Sequence, residues 1–344
     1  YPIPSSKICA EQDWDSHLFR DADGNLTDDG PYAYTWDAEN RLVAVEPTNP
    51  SNGDKKVVFE YDYMSRRVRK SVYNYDTGWE STAETDLKFV YDGWNVVLVL
   101  DDSNDTVRKY TWGLDLSQTI HDAGGIGGLL AVEETATTGQ PKYWFFYDAN
   151  GNLGQAFKVS TGAVAARYEY DPYGNIIGPD DDDDGDWRDD AGPYAETNPM
   201  RFSTKWFDAE VGLYNYGMRY YLPRLGRWLN RDPIEEEGGL NLYVFLSNDP
   251  ANNIDIVGLW SGSYRCRIIN FGCNRGILYS YNKCGQSCTL ITCDVGSCPG
   301  ILSAIRNNYA LGPCCPGCPA LGPSPGVYGC RSGASGGWLC APEN

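Results

Sequence analysis

The chain has 344 residues, enough for two domains of ordinary size with a sizeable core. Its net charge of −19 and pI of about 4.4 argue against nucleic acid as a partner of the whole chain, since phosphate would be repelled. No apolar run reaches the roughly 18 residues that a spanning helix needs, so no membrane span is expected.

Charge and cysteine are unevenly spread. Residues 260–344 hold six Lys/Arg against only Asp294 and Glu343, so the acidic excess lies entirely before them. Eleven of the twelve cysteines also lie there, and only Cys9 lies elsewhere. That density predicts a disulfide framework made in an oxidising compartment, with one thiol left free or bridged to Cys9 or another chain. Cys315-Pro316-Gly317-Cys318 has the spacing of a zinc knuckle, but no second well-spaced pair partners it, and no metal or other cofactor is expected. The chain opens at Tyr1 without Met or a signal-peptide pattern, which reads as a fragment or processed product.

Residues 1–19 form a leader of undefined type. From residue 20 a repeat appears. Its fullest copies are Tyr147-Asp148-Ala149-Asn150-Gly151-Asn152-Leu153 and Tyr170-Asp171-Pro172-Tyr173-Gly174-Asn175-Ile176. Looser copies start at Arg20-Asp21, Trp36-Asp37, Tyr61-Asp62 and Tyr91-Asp92, and degenerate ones such as Tyr110-Thr111-Trp112-Gly113 fill the widest gap. An alternating strand ends in an aromatic; Asp follows, then Gly-Asn or Asn-Arg, then a Leu, Val or Ile that resumes a strand. Asp can accept from the backbone N–H two residues on, and Gly or Asn takes the positive φ of a tight turn. Strand-turn-strand units in series predict a β-sheet built by accretion over 20–178, without a convincing amphipathic helix before 200.

An aspartate run follows at Asp180–Asp190, within a segment 179–200 read as an acidic loop. Hard cations take carboxylates, so Ca²⁺ is one reading; an exposed, solvated loop is the stronger one. The Asp21-x-Asp23-x-Asn25 series has Leu26 and Tyr32 where an EF-hand needs Gly and Glu.

Residues 201–259 fit neither a period of 2 nor one of 3.6. They run through Arg201-Phe202, Asp208, Gly212-Leu213-Tyr214, Arg219-Tyr220-Tyr221, Gly226-Arg227-Trp228, Arg231-Asp232-Pro233, Gly238-Gly239, Asn241-Leu242-Tyr243 and Asp255-Ile256-Val257-Gly258-Leu259. Aromatics this dense are either packed or a carbohydrate platform, and packing is the commoner fate. The arginines Arg219, Arg227 and Arg231 are expected to pair with buried Asp or stack on rings. Only His17 and His121 exist, both outside this stretch and the tail, which excludes a Ser-His or Cys-His nucleophile pair in the tail.

The Tyr-Asp units resemble the YD repeats of RHS proteins, and 201–259 resembles the RHS-associated core that closes such arrays. The resemblance covers about residues 20–259. It implies an all-β architecture: a YD-repeat β-strand ribbon, here a partial spiral shell, closed by the core as a plug. It also makes 260–344 a variable, disulfide-rich tail carried as cargo. A complete shell would need many more repeats, so an open, curved sheet is expected.

The core of that family resembles an aspartic self-protease cutting after its terminal Gly-Leu. Carried over, Asp232 and Asp255 form the dyad, Arg231 is a charge that positions or tunes them, and Leu259–Trp260 is the scissile bond. Two carboxylates brought close share one proton and supply an acid and a base together. Asp249 is an alternative second carboxylate, and both Asp232 and Asp255 also suit plain turn caps. This chain departs from the usual Asp-Pro ending by having Ile256 in place of the proline. At most the enzyme is intramolecular; no residue points to an activity on a second molecule. The resemblance implies a secreted or cell-surface carrier of a polymorphic toxin, its own tail as cargo and a cell-surface or secretion-system component as partner. The competing reading is a non-enzymatic extracellular structural or adhesion module with a disulfide-stabilised cap.

Overall fold

The computed structural model describes residues 18–179 and 186–259, and beyond them only the backbone of six short strands. Thirteen strands from Phe19–Arg20 to Val164–Arg167 form a single antiparallel sheet in which every strand pairs with its neighbours in sequence. Accretion by hairpins leaves no other order, since each turn hands the chain straight back alongside itself.

The turn chemistry is uniform. Asp37 Oδ1 accepts from the N–H of Glu39 (2.9 Å) and Arg41 (3.0 Å). Asp62, Asp148 and Asp171 repeat this two and four residues on, at Met64 and Arg66, Asn150 and Asn152, and Tyr173 and Asn175. The residue between, three after the Asp, is left-handed: Asn40, Ser65, Gly151 or Gly174. The second carboxylate oxygen takes a side-chain donor from the fourth residue, Asn152 Nδ2 to Asp148 or Arg66 Nε to Asp62, both at 2.8 Å. Gly-Asn and Asn-Arg are therefore two solutions to one geometry.

The aromatic before each Asp fastens its unit to the one before. Tyr91 Oη donates to Arg67 O (2.7 Å), Tyr147 Oη to Leu129 O (2.6 Å) and Tyr170 Oη to Leu153 O (3.0 Å). Tryptophan does the same through Nε1: Trp36 to Leu26 O and Trp112 to Val96 O, both at 2.7 Å. Each acceptor is a residue that resumes the strand after the preceding turn.

Residues 201–246 fold against one face of this sheet. Four short strands, Trp206–Asp208, Leu213–Asn215, Tyr220–Leu222 and Arg227–Trp228, form a second antiparallel sheet. Val211, Leu213, Tyr220 and Leu229 pack with Leu26, Val45, Val57 and Phe59, whereas Trp206 and Met200 join Phe89, Val132 and Phe145. Inside the plug, Phe202, Tyr214, Tyr216, Tyr221, Trp228 and Phe245 form a continuous ring cluster, so these aromatics are core and not a sugar platform.

The segment read as an acidic loop is only partly one. Residues 180–185 lie outside the described residues, but Trp187–Asp190 form a helical turn capped by Asp186, which accepts from Arg188 N. Tyr194, Ala195, Asn198 and Met200 are then buried. The apolar spacing after the aspartates, not the aspartates, decides their fate.

A separate unit comprises Asp249–Ile254 and Ser261–Asn344. In it Arg265–Ile269, Gly276–Lys283 and Gln286–Cys293 form a three-stranded antiparallel sheet, and Tyr328–Ser332 pairs with Trp338–Pro342. The expected disulfide framework concerns side chains outside the described residues. Among the described residues, no helix is long and apolar enough to cross a membrane.

Candidate functional site

The plug ends in two turns that bring its expected carboxylates to one cation. Asp232 sits where the chain leaves strand Arg227–Trp228; its N–H donates to Leu242 O (2.9 Å) and its Oδ1 accepts from Ile234 N (3.1 Å). Gly238 closes over it, and a Cβ there would lie 2.7 Å from Asp232 Oδ2, so that position has no room for a side chain. Asp255 ends strand Asn253–Asp255 and caps the turn that follows: its Oδ1 accepts from Val257 N (3.2 Å), Gly258 N (2.7 Å) and Leu259 N (3.2 Å). Gly258 takes the left-handed φ of 78° that this turn requires.

Arg219 joins them. One of its nitrogens, Nη2, lies 2.8 Å from Asp232 Oδ2 and 3.7 Å from Asp255 Oδ2. Its Nε donates to Gly258 O, Nη1 reaches Leu242 O at 3.4 Å, and the guanidinium lies over the Trp228 ring at 4.3 Å. All three side chains are buried. Burial lowers the Arg219 pKa, against the pull of Asp255 and Asp232. Burial likewise raises the carboxyl pKa of Asp232, while Arg219 holds it down; burial wins.

Lys205 is the second buried cation here. Its Nζ donates to Ile256 O (2.7 Å) and Gly124 O (3.0 Å), and Met218 N donates to Val257 O (2.9 Å). The strand that a proline ring would have stiffened is thus held by hydrogen bonds to its carbonyls. Burial pushes the Lys205 ammonium down to about 8, with Asp255 and Asp115 opposing.

The sequence-derived residues divide accordingly. Asp232 and Asp255 are brought together. Arg231 is not with them: it is exposed, its Nε 3.4 Å from Tyr243 Oη, because its side chain leaves the backbone away from the inward-turned Asp232. Arg219 stands where Arg231 was expected, and its pairing with buried Asp and its stacking on a ring were both legible. Lys205 was not; a lone Lys between Thr204 and Trp206 offers no pattern. Asp249 Oδ1 accepts from Asn252 Nδ2 (2.7 Å) within its own turn. Leu259 is half-buried, and Trp260 lies outside the described residues. Among the described residues, no group of three or more His, Cys, Asp or Glu could hold a metal. A cavity of about 440 Å³, lined among others by Tyr32, Trp187, Arg201 and Phe207, includes neither Asp232 nor Asp255.

No protein-family model matches the chain. Among curated proteins it is 31% identical over 252 residues to the tRNA nuclease WapA of Bacillus subtilis, a match covering 72% of this chain and 9% of the relative. It is 27% identical over 260 residues to the toxin protein Tse5 of Pseudomonas aeruginosa, covering 70% of this chain and 18% of that one. It is 28% identical over 265 residues to the toxin subunit YenC1 of Yersinia entomophaga, covering 69% and 23%. The chain therefore spans a small part of the relatives it matches. Among solved structures, the TcdB2-TccC3 complex aligns with a TM-score of 0.51 at 23% identity, over 70% of this chain and 11% of that one, a likeness of fold. The curated relatives support the RHS polymorphic-toxin kind at the level of family, and the β-rich structure, with its likeness to TcdB2-TccC3, agrees with an RHS-type fold.

Proposed function

We propose that this chain is the carrier end of a secreted or cell-surface RHS-type toxin. Its repeats and plug close the array, and a self-cleavage after Leu259 releases residues 260–344 as cargo. The observation that carries this reading is the buried Arg219, which reaches Asp232 and Asp255 and also binds the carbonyl of Gly258, one residue before the cleaved bond. An aspartic mechanism needs one carboxyl with a proton and one without. Asp232, which burial holds toward its neutral form, donates its proton to the Leu259 carbonyl oxygen and regains it as the tetrahedral intermediate collapses. Asp255, already bonded to the amides of 257–259, accepts a proton from the attacking water and passes it to the leaving amine. Arg219 bridges the two carboxyls and orients them, the part the resemblance gave to Arg231. A delivery component of the cell surface or a secretion system would be the external partner.

The experiment is the intact mass of purified protein, before and after reduction, over several days. The expected result is two fragments divided at Leu259 and a single uncut chain for Asp232→Asn. A wild-type chain that stays whole, with Asp232→Asn indistinguishable from it, leaves the non-enzymatic structural module as the reading.

A further inference from the structure

We infer that the non-repetitive turn His121–Gly128 of the large sheet, together with Lys205, is a positioning element for the segment 255–259, so that the repeat array itself completes the processing site. This deepens the self-cleavage reading and rests on it.

Two independent observations converge on Ile256. The first is a fit. Gly124 is left-handed at φ 61°, and a Cβ on it would lie 2.3 Å from Ile256 O and 2.8 Å from Ile256 Cγ2. The array backbone therefore meets the backbone of the segment directly, and only glycine permits it. The second is a shared donor. Lys205 Nζ bridges Gly124 O at 3.0 Å and Ile256 O at 2.7 Å, holding the two carbonyls to one point.

The turn is itself built to be rigid. Buried Asp115 accepts from Ala123 N (2.8 Å) and Gly125 N (3.2 Å), and Leu116 N bonds Ile126 O (3.0 Å). Gly127 N donates to Thr204 Oγ1 (2.8 Å), whose hydroxyl donates in turn to Gly151 O (2.8 Å). Ser203 and Thr204 adopt left-handed φ of 51° and 54° without being glycine, a conformation that persists only when its surroundings impose it. That local cost places Lys205 beneath Ile256. Asp115 still makes the repeat's turn, with left-handed Gln118 three residues on; the residues after it, 120–128, are the insertion, which is explained if it serves the segment and not the ribbon.

The consequence is that Asp255 and the turn that follows it are held from two sides: Arg219 of the plug at Gly258, and the array through Gly124 and Lys205 at Ile256. Separation of the plug from this turn would leave the dyad intact but the segment slack. Misplacement by about 1 Å costs a rate on the order of a hundredfold.

The test compares Gly124→Ala and Lys205→Met with Gly139→Ala in the full chain. Gly139 is also left-handed, at φ 79°, but nothing lies within 4 Å of the added methyl, so it controls for backbone strain alone. Two readouts are taken: amide exchange at Val257 and Gly258, and the fraction cut at Leu259. Exchange at Ser203 N, which donates to Asn152 Oδ1 at 2.8 Å, reports that the fold is kept. The expected result for Gly124→Ala and Lys205→Met is faster exchange at 257 and 258 and cleavage slowed on the order of a hundredfold, with Gly139→Ala unchanged. Unchanged exchange in both variants overturns the inference. Faster exchange in a chain that does not cut even as wild type upholds the clamp and sinks the self-cleavage reading instead.

Discussion

Asp208 of the plug lies 2.6 Å from Arg67 of the repeat sheet, with both side chains sealed from water. Lys70, three residues further along the same strand, reaches the other carboxylate oxygen at 2.8 Å. That second contact is an ion pair without hydrogen-bond alignment, so Asp208 Oδ1 has no aligned donor. The Arg67 guanidinium is enclosed by Phe59, Phe89 and Trp206 at 4.8 to 5.5 Å, rings from the sheet and the plug alike. Buried charge is expensive unless paired, so this contact fixes which surface of the plug meets which strand.

Removing one partner should therefore cost more than the pair contributes. Asp208→Ala is expected to lower the stability of the plug-and-sheet unit by about 3–5 kcal/mol, because Arg67 is left buried and unpaired. The double variant Arg67→Met, Asp208→Leu is expected to recover much of that loss. Burial would raise the Asp208 carboxyl, but Arg67 and Lys70 hold it below the ordinary range. Its contribution is thus present above the ordinary carboxylate pKa and lost as pH falls through the folded value. Urea unfolding of wild type and Asp208→Ala at neutral and strongly acidic pH measures this; a gap that does not shrink in acid contradicts it.

The hydrogen bonds from each repeat aromatic to the preceding unit predict a graded response. Tyr147→Phe removes only the donor to Leu129 O and should cost about 1 kcal/mol. Asp148→Ala removes the acceptor for Asn150 N, Asn152 N and Asn152 Nδ2, and should cost about 2–3 kcal/mol through the loss of three hydrogen bonds that fix the turn. Replacing Asn152 by Arg should be tolerated better than replacing it by Leu, since Arg66 Nε fills the same place on Asp62. Thermal unfolding of the three variants ranks them; equal losses for Tyr147→Phe and Asp148→Ala would refute the scheme.

What could be read from sequence follows from the range of each interaction. The Asp-x-x-Gly-Asn turn closes within five residues, so its acceptor, its left-handed residue and its strand polarity were all legible, and the sequential sheet with them. Asp232 and Asp255 were legible through the resemblance of the plug. Lys205 was not, because its partners are the carbonyls of Gly124 and Ile256, far away in the chain and carrying no side-chain signature. The resemblance implies Arg231 as the charge on the dyad, whereas the cation beside Asp232 in space is Arg219, thirteen residues back and brought over by the strands between. Tyr194 and Met200 were hidden by the aspartates before them.

Lys205 yields the last prediction. Its ammonium is held down to about 8 by burial, with Asp255 and Asp115 as the charges facing it, whereas an unfolded lysine titrates near 10.5. Between those values the unfolded chain binds the extra proton, so this group's contribution to stability increases as pH rises from about 8 toward 10.5. The gain over that window is about 3 kcal/mol, from roughly 1.4 kcal/mol for each pH unit of displacement. Buried tyrosines such as Tyr147 and Tyr216, raised by burial, oppose it in the whole protein, since the unfolded state loses their protons first. The difference between wild type and Lys205→Met cancels that background. Stability of the wild type relative to the Met variant should therefore improve as pH rises from 8 to 10.5, and the side-chain ¹⁵N resonance of Lys205 should titrate near 8. A resonance that titrates near 10.5 would mean that the site beneath Ile256 is wet, and that the carbonyls of Gly124 and Ile256 are not held by a buried charge.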